Sequence, residues 1–385
     1  MNKDQRIGQF ITYSENDGNY KSYIPKPLPP QPSITIENFY PLLDKTLASL
    51  GKLNGIKTSL PDDTLLLMMF AKKEALLSSQ IEGTQSSFSD ILILEEEEQL
   101  QNDDSKEVFN YIKAMEHGLK SLEKLPLSRR LLCEMHETLL SSGRGKNKNP
   151  GQFRTTQNWI GGTRPGNALF VPPSPDNLEE CFSDFEKFLN NKNILLPALI
   201  KVALAHVQFE TIHPFLDGNG RLGRLLITFM LRESQLLEEG SFLYLSLYFK
   251  QNKTKYYDLL QSVRMKGDWE AWIEFFLKGI QETSDQMSKT TQNIIDLFEE
   301  DEKKISSYGK DTKGVSQTYR YLKKQPVSNV KNISKHYSIS TQKVMRSLKT
   351  LQEIGLVEEL TKKYRNKIFV YKNYLHLLHE GTEMD

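Results

Sequence analysis

The sequence predicts a mainly α protein: a helical bundle with one small β-hairpin, followed by a separate basic module of three helices and a two-stranded ribbon. Three observations carry that expectation. Apolar residues recur at helical spacing from about residue 36 to about residue 280. One Gly- and Pro-rich stretch, residues 151–173, breaks the pattern, and the composition changes after about residue 310. At 385 residues the chain exceeds one ordinary core, so two or three domains are expected.

Taken in order, residues 1–32 read as an extended arm, because Pro25, Pro27, Pro29, Pro30 and Pro32 forbid a helix. Pro61, Asp62 and Asp63 open a helix through Ser78, with the acids at its positive end. Further helices are expected near residues 107–122, 128–140, 176–189, 197–210, 220–237 and 269–277. Within 151–173, Gly161-Gly162, Pro165-Gly166 and Pro172-Pro173 punctuate Trp159, Ile160, Phe170 and Val171, the composition of a β-hairpin. A lone hairpin is marginal in water, so it must lean on the helices or receive a strand from a partner. A polar helical stretch with Ile294, Leu297 and Phe298 as its apolar stripe follows Met287. Residues 311–385 hold 14 Lys and Arg against 7 Asp and Glu, a difference of +7. Helices near 317–324, 330–336 and 340–355, then strands around 357–360 and 368–371, follow the plan of a winged helix-turn-helix domain. The division is therefore an arm and helical region (1–105), a core (106–285), a helical linker (286–310) and the winged-helix domain (311–385).

Composition excludes several classes. With 50 Lys and Arg against 49 Asp and Glu, the whole chain is not a polyanion or membrane-surface binder. Cys133 and Cys181 sit in apolar helical patterns without metal-ligand spacing, which reads as two buried thiols in a reduced, cytoplasmic protein. Residues 1–17 are too polar for a signal peptide. The longest apolar run, residues 225–231, is about a third of a membrane span, so no membrane partner is expected.

The chemistry concentrates near residue 213. The helices on either side, 197–209 and 222–231, are apolar nearly all round, as helices at the centre of a bundle are. The loop between them is nonetheless His213-Pro-Phe-Leu-Asp217-Gly-Asn-Gly-Arg221, with Arg224 a turn further on. Burying those polar groups costs several kcal/mol unless something satisfies them, so the loop makes sense as a site. Gly218, Asn219 and Gly220 can each take positive φ and turn successive N–H groups inward as an anion nest, opening on a helix N-terminus. Arg221 and Arg224 offer bidentate cations for phosphate, and Asp217 could hold Mg²⁺ against it. His213, expected near its ordinary pKa, is the one good general base in the loop. The pattern suits in-line attack of a hydroxyl on a phosphate. It is not a P-loop, since no Lys-Ser or Lys-Thr follows the glycines, and it lacks the alternating acids of a calcium loop.

The run from His213 to Arg224 resembles the HPFx[D/E]GNGRxxR signature of the Fic family without a departure, and the likeness extends from about residue 40 to 280. That resemblance implies a Fic-type helical bundle with a hairpin flap, and transfer of AMP from ATP to a Ser, Thr or Tyr hydroxyl of a protein, itself included. It implies His213 as the base and Asp217 as the Mg²⁺ ligand. Gly218, Asn219, Gly220, Arg221, Leu222, Gly223 and Arg224 would form the nucleotide site, with Arg224 on the γ-phosphate and Phe215 anchoring the loop in the core. Asn252 and Tyr248 (or Tyr257) resemble the nucleoside contacts, and the flap near 161–171 would align a target segment by strand addition. A homodimer is also expected.

Upstream, Ser78-Ser79-Gln80-Ile81-Glu82-Gly83 resembles the family's inhibitory motif [S/T]xxxE[G/N]. The resemblance implies that Glu82 pairs with Arg224 and misdirects the α-phosphate of bound ATP. Read without it, the segment is a helix C-terminus with Gly83 as its left-handed residue. His206 reads as a packing residue, and Glu95 to Glu98 as a solvated face. Two rivals stand beside adenylylation: transfer of another phosphate-containing group on the same loop, and DNA-binding regulation through residues 311–385. For the latter, Gln342, Lys343, Arg346 and Lys349 would lie on the recognition helix and Tyr364, Arg365 and Lys367 in the wing.

Overall fold

A computed structural model describes residues 3–15, 18–56, 63–96, 103–308, 312–361 and 367–382. Two short strands, β1 (Gln9–Glu15) and β2 (Gly18–Ile24), form an antiparallel hairpin pairing Gln9 with Ile24 and Glu15 with Gly18. The extended arm of residues 1–32 is thus corrected: its first part is a hairpin and only the proline-rich part is irregular. Asp17-Gly18 between alternating residues is itself a hairpin signal. β2 packs on the bundle through Tyr23 N to Val171 O (3.0 Å) and Ser22 Oγ to Pro172 O (2.8 Å).

The bundle comprises α1 (Tyr40–Ile56), α2 (Asp63–Ile81), α3 (Phe88–Glu96), α4 (Asp103–Leu122), α5 (Arg129–Leu139), α6 (Pro175–Asn190), α7 (Ala198–Ile212), α8 (Asn219–Glu233), α9 (Ser246–Gln251), α10 (Lys253–Lys266) and α11 (Trp269–Ser307). Its centre is α7 and α8, buried on nearly every face as their all-round apolar sequences require. Trp272 of α11 is fully buried and donates its indole N–H to Ala203 O of α7 (2.9 Å). The helix expected over 269–277 is the first part of a far longer element: α11 runs 39 residues and includes most of the 286–310 segment. Its polar half still presents Ile294 and Phe298 inward.

The 151–173 stretch is less regular than a hairpin. Its pairing reduces to a single bridge between Ile160 and Phe170, with a 3₁₀ turn at Pro165–Asn167. Gly161 and Gly162 both take positive φ (69° and 71°), which bends the chain too sharply for a ladder. The loop leans instead on its neighbours: Phe170 packs 5.7 Å from the Tyr23 ring, and Arg264 stacks 4.1 Å above it.

The C-terminal module contains α12 (Thr312–Lys324), β3 (Val327–Asn329), α13 (Val330–Tyr337), α14 (Thr341–Glu353), β4 (Val357–Glu359), β5 (Ile368–Tyr371) and α15 (Lys372–His379). Its sheet is antiparallel in the order β3-β5-β4. Ser340 caps α14 by accepting from Lys343 N, which fixes where that helix begins. Tyr364 and Arg365 lie outside the described residues. Glu95 to Glu98 is not a solvated face at Glu96, which is buried among polar groups of β3 and α13 that satisfy its charge. Glu97 and Glu98 lie outside the described residues. Cys181 is buried and Cys133 only half-buried, and neither is bonded. Among the described residues no helix is long and apolar enough to cross a membrane.

Candidate active site

The site is the turn between α7 and α8. His213 closes α7 in the left-handed region (φ 49°), and its N–H still bonds Phe209 O (2.9 Å). A non-glycine residue there is strained, so the surroundings must hold it. They do. Buried Arg154 donates Nε to His213 O (3.0 Å) and Nη2 to Pro173 O (2.5 Å), and Asn158 Nδ2 bonds Phe215 O (2.9 Å). Phe215 is fully buried and stacks on His136, centroids 3.8 Å apart, as its anchoring role requires. His136 in turn donates Nε2–H to Asp217 O (2.9 Å) and accepts Gly151 N at Nδ1 (2.9 Å). Burial pushes its imidazole down to about 4, so it is neutral and keeps both roles.

Of the three nest residues only Gly218 takes positive φ (77°); Asn219 and Gly220 already belong to α8. The nest is corrected to one left-handed glycine followed by a helix N-terminus. Gly218 N is engaged by Asp217 Oδ1 (2.6 Å), and the first helical bond is Leu222 N to Gly218 O (3.0 Å). The amides of Asn219, Gly220 and Arg221 therefore precede the helix ladder, where an anion is favoured. The Asn219 carboxamide is committed to the loop, bonding Phe215 N (2.9 Å) and Phe215 O (2.8 Å). Gly220 is needed for close approach: a Cβ there would collide with Glu82 Oε1. Leu222 is core, and Gly223 leaves room for Glu210.

Both arginines are buried and paired. Arg221 Nη1 bonds Glu107 (3.1 Å), which Arg144 also holds, and Arg221 Nη2 lies 3.6 Å from Asp217. Arg224 donates Nε to Ser78 Oγ (2.7 Å), and Nη2 to Ser78 O (3.0 Å) and to Glu82 Oε1 (2.7 Å). The pairing of Glu82 with Arg224 is thus present in the structure. Burial alone would raise the Glu82 carboxyl, but Arg224, Arg221 and His213 together hold it below its ordinary range. Gly83 takes φ 99° and its N–H bonds Gln80 O (3.0 Å), so the segment is also an ordinary helix terminus. One geometry serves both.

His213 departs from the near-neutral value expected of it. Burial, then the Arg264 guanidinium, push it down to about 3, which leaves a neutral imidazole at pH 7. Its Nδ1 lies 3.3 Å from Glu210 O, and its side chain keeps 19% of its surface open. His206 is a packing residue, held between Gly223 O (3.0 Å) and Tyr256 OH (2.8 Å). Tyr248 is largely core, its ring against Phe275 and Gly279, and Asn252 Nδ2 bonds Tyr248 O (3.0 Å). Tyr257 is more exposed and feels the charges of Glu82 and Arg224. Sequence reasoning missed Glu107, His136, Arg154, Asn158 and Glu210. Each lies on another element or a turn away, and no local spacing marks it.

Asp217 keeps 41% of its side chain open, and no cluster of three metal-ligating side chains exists among the described residues. One open carboxylate beside an anion site fits Mg²⁺, a cation held largely by phosphate oxygens and water.

Two family models match the chain: Fic/DOC family N-terminal over residues 40–120 and Fic/DOC family over residues 126–231. The chain belongs to the Fic/DOC family. It is similar to the Protein adenylyltransferase Fic of Aedes aegypti, 29% identical over 235 residues, covering 58% of this chain and 44% of that protein. The protein of the same name from Culex quinquefasciatus is 34% identical over 155 residues, covering 40% of this chain and 28% of its own. The matches therefore span less than half of either relative. A Fic family protein from Desulfovibrio desulfuricans shares the fold, with TM-score 0.54 and 19% identity over 86% of this chain and 96% of that one. Fic-1 (aa134 - 508) from C. elegans does so with TM-score 0.50 and 21% identity, covering 68% and 76%.

Proposed function

We propose that this chain is a self-inhibited protein adenylyltransferase that uses ATP. The observation that carries the reading is the left-handed turn that sets neutral His213 beside the free amides of α8, with Arg224 at the same helix end. The triphosphate lies across the amides of Asn219, Gly220 and Arg221, with Arg224 on its terminal phosphate. A hydroxyl oxygen of the target attacks the α-phosphorus. As the new O–P bond forms, the hydroxyl proton passes to His213 Nε2 and the bond to the bridging oxygen breaks, releasing pyrophosphate. Asp217 is the residue that would hold Mg²⁺, which supplies charge neutralisation on the phosphates when bound. In the state described, the Glu82 carboxylate leans over Gly220 and occupies the guanidinium that the terminal phosphate requires. The names of the insect relatives support the same activity. Labelled ATP with Mg²⁺ and a cell lysate tests the proposal: label should enter protein with Glu82→Gly and not with Glu82→Gly/His213→Ala.

A second reading concerns the C-terminal module, for which we propose a winged-helix domain that contacts DNA. Gln342, Arg346 and Lys349 are exposed on α14, whereas Lys367 is paired with Glu359 (2.9 Å). A salt-dependent gel shift of the full chain tests it, and no shift at low salt removes it.

A further inference from the structure

Glu210 sits one turn before His213 on α7, buried, with Oε1 lacking any hydrogen-bond partner among the described residues. Its Oε2 lies 3.8 Å from His213 Nδ1. Gly223 makes space for it, since a Cβ there would collide with Oε1. Buried carboxylates are rarely left unpaired, because the charge is costly without a partner. The groups facing it are cationic or neutral: Arg264 donates Nη2 to Glu210 O (3.0 Å), Arg224 acts on its charge, and Tyr256 lies near. Glu82 is the one acid that opposes it.

Resting on the adenylyltransferase reading, we propose that Glu210 is a positioning residue for His213. The backbone carbonyl of Glu210 holds the Nδ1–H tautomer and leaves Nε2 free, and the carboxylate balances the imidazolium created when Nε2 takes the hydroxyl proton. This offsets Arg264, which otherwise disfavours that charge. Burial pushes the Glu210 carboxyl up to about 7, so the balancing anion is present above that pH and lost below it.

The test compares Glu210→Gln and Glu210→Asp in the Glu82→Gly background. Glu210→Gln should lower kcat by about 10- to 100-fold with KM for ATP within about twofold, the range of a single assisting group in proton transfer. It should also abolish the acidic limb of the kcat profile near pH 7, and Glu210→Asp should restore part of the rate. Imidazole ¹⁵N shifts of His213, read whether or not nucleotide turns over, should move through a transition near pH 7 as Glu210 ionises, and that transition should vanish in Glu210→Gln. His213 shifts that pass pH 7 identically in parent and Glu210→Gln, or kcat and KM lost together, would overturn the role of Glu210. A silent parent with the predicted shift in His213 would instead count against the transferase reading.

A second inference rests on other residues. The helices on either side of Glu82, α2 and α3, are gripped from outside by the C-terminal module. Glu96, at the end of α3, accepts from Ser328 Oγ (2.6 Å), Asn329 N (2.8 Å) and Asn332 Nδ2 (2.8 Å). Glu95 pairs with Lys72 of α2 (2.5 Å) and accepts from Gln325 Nε2 (3.1 Å). Beyond α15, Glu380 O accepts from Lys73 (2.6 Å) and Thr382 O from Gln80 Nε2 (3.4 Å), two residues before Glu82.

We infer that the C-terminal module is the clamp that keeps Glu82 on Arg224, so displacing it switches the proposed transferase on. Ending the chain after His379, or Glu96→Ala, should raise turnover at least about threefold and add nothing in the Glu82→Gly background. Hydrogen exchange of α2 amides over 76–81 should accelerate in either variant, independently of any activity. Gln325→Ala, a smaller lesion, should shift both readouts the same way. Unchanged exchange, or an equal rise on top of Glu82→Gly, would overturn the clamp.

Discussion

Replacing Glu82 with glycine removes one strong bond and little else. Glu82 follows the last residue of α2, so the glycine adds almost no helix penalty. What is lost is a charge-assisted hydrogen bond of 2.7 Å to a guanidinium only 2% exposed. Such bonds contribute about 1.5–3 kcal/mol. Because 36% of the Glu82 side chain meets solvent, screening trims the figure to about 1.5–2 kcal/mol. At 1.4 kcal/mol per decade this shifts the population towards the competent arrangement by about 10- to 30-fold. On the proposed switch, in which the blocked form admits nucleotide but misdirects its α-phosphate, the rise should fall in kcat. Initial rates of AMP incorporation at saturating ATP, with parent and variant side by side, measure it. Equal rates would refute the switch.

Other substitutions bear on separate parts of the account. His213→Ala should abolish transfer while leaving ATP affinity within about threefold, read by calorimetry in the Glu82→Gly background. Asn219→Ala should destabilise the chain by about 1–3 kcal/mol, because Phe215 N loses its partner while Phe215 O keeps Asn158 Nδ2, seen in denaturant unfolding. Stability should also follow pH in a definite way. His136, His206 and His213 have folded values of about 4, 3 and 3, so the unfolded chain binds their protons first as pH drops below about 6.5 and stability falls. Glu74 and Glu210, raised to about 7, act oppositely between about 7 and 4.5. Three histidines against two glutamates leave about one net proton, or about 1.4 kcal/mol per pH unit, in that range. Below about pH 4.5 the opposition ends and melting temperature should fall more steeply; a steady or rising melting temperature there would contradict these assignments.

The bundle was legible because its helices announce themselves locally. The apolar runs of α7 and α8 could only be central, and a polar loop between them could only be a site. The Glu82–Arg224 pair was legible as well, although 142 positions separate the two, because a short motif marks one partner and a long one the other. What stayed hidden depends on distant packing. Nothing beside Arg154 or His136 signals that each holds the backbone of the His213–Asp217 turn. The low His213 value follows from burial and from Arg264 on α10, which spacing does not reveal. Asn219 looked like a nest residue because turns and helix starts share composition, and only the Phe215 bonds separate them. The hairpin at residues 9–24 was hidden by the prolines after it, which drew the whole arm into an irregular reading.

Intact-mass spectrometry of purified Glu82→Gly, incubated with ATP and Mg²⁺, reaches the central claim most directly. The account predicts a population heavier by one AMP, absent when His213 is also replaced by alanine. A gain of one phosphate, or no gain together with no measurable affinity for adenine nucleotides, would contradict it.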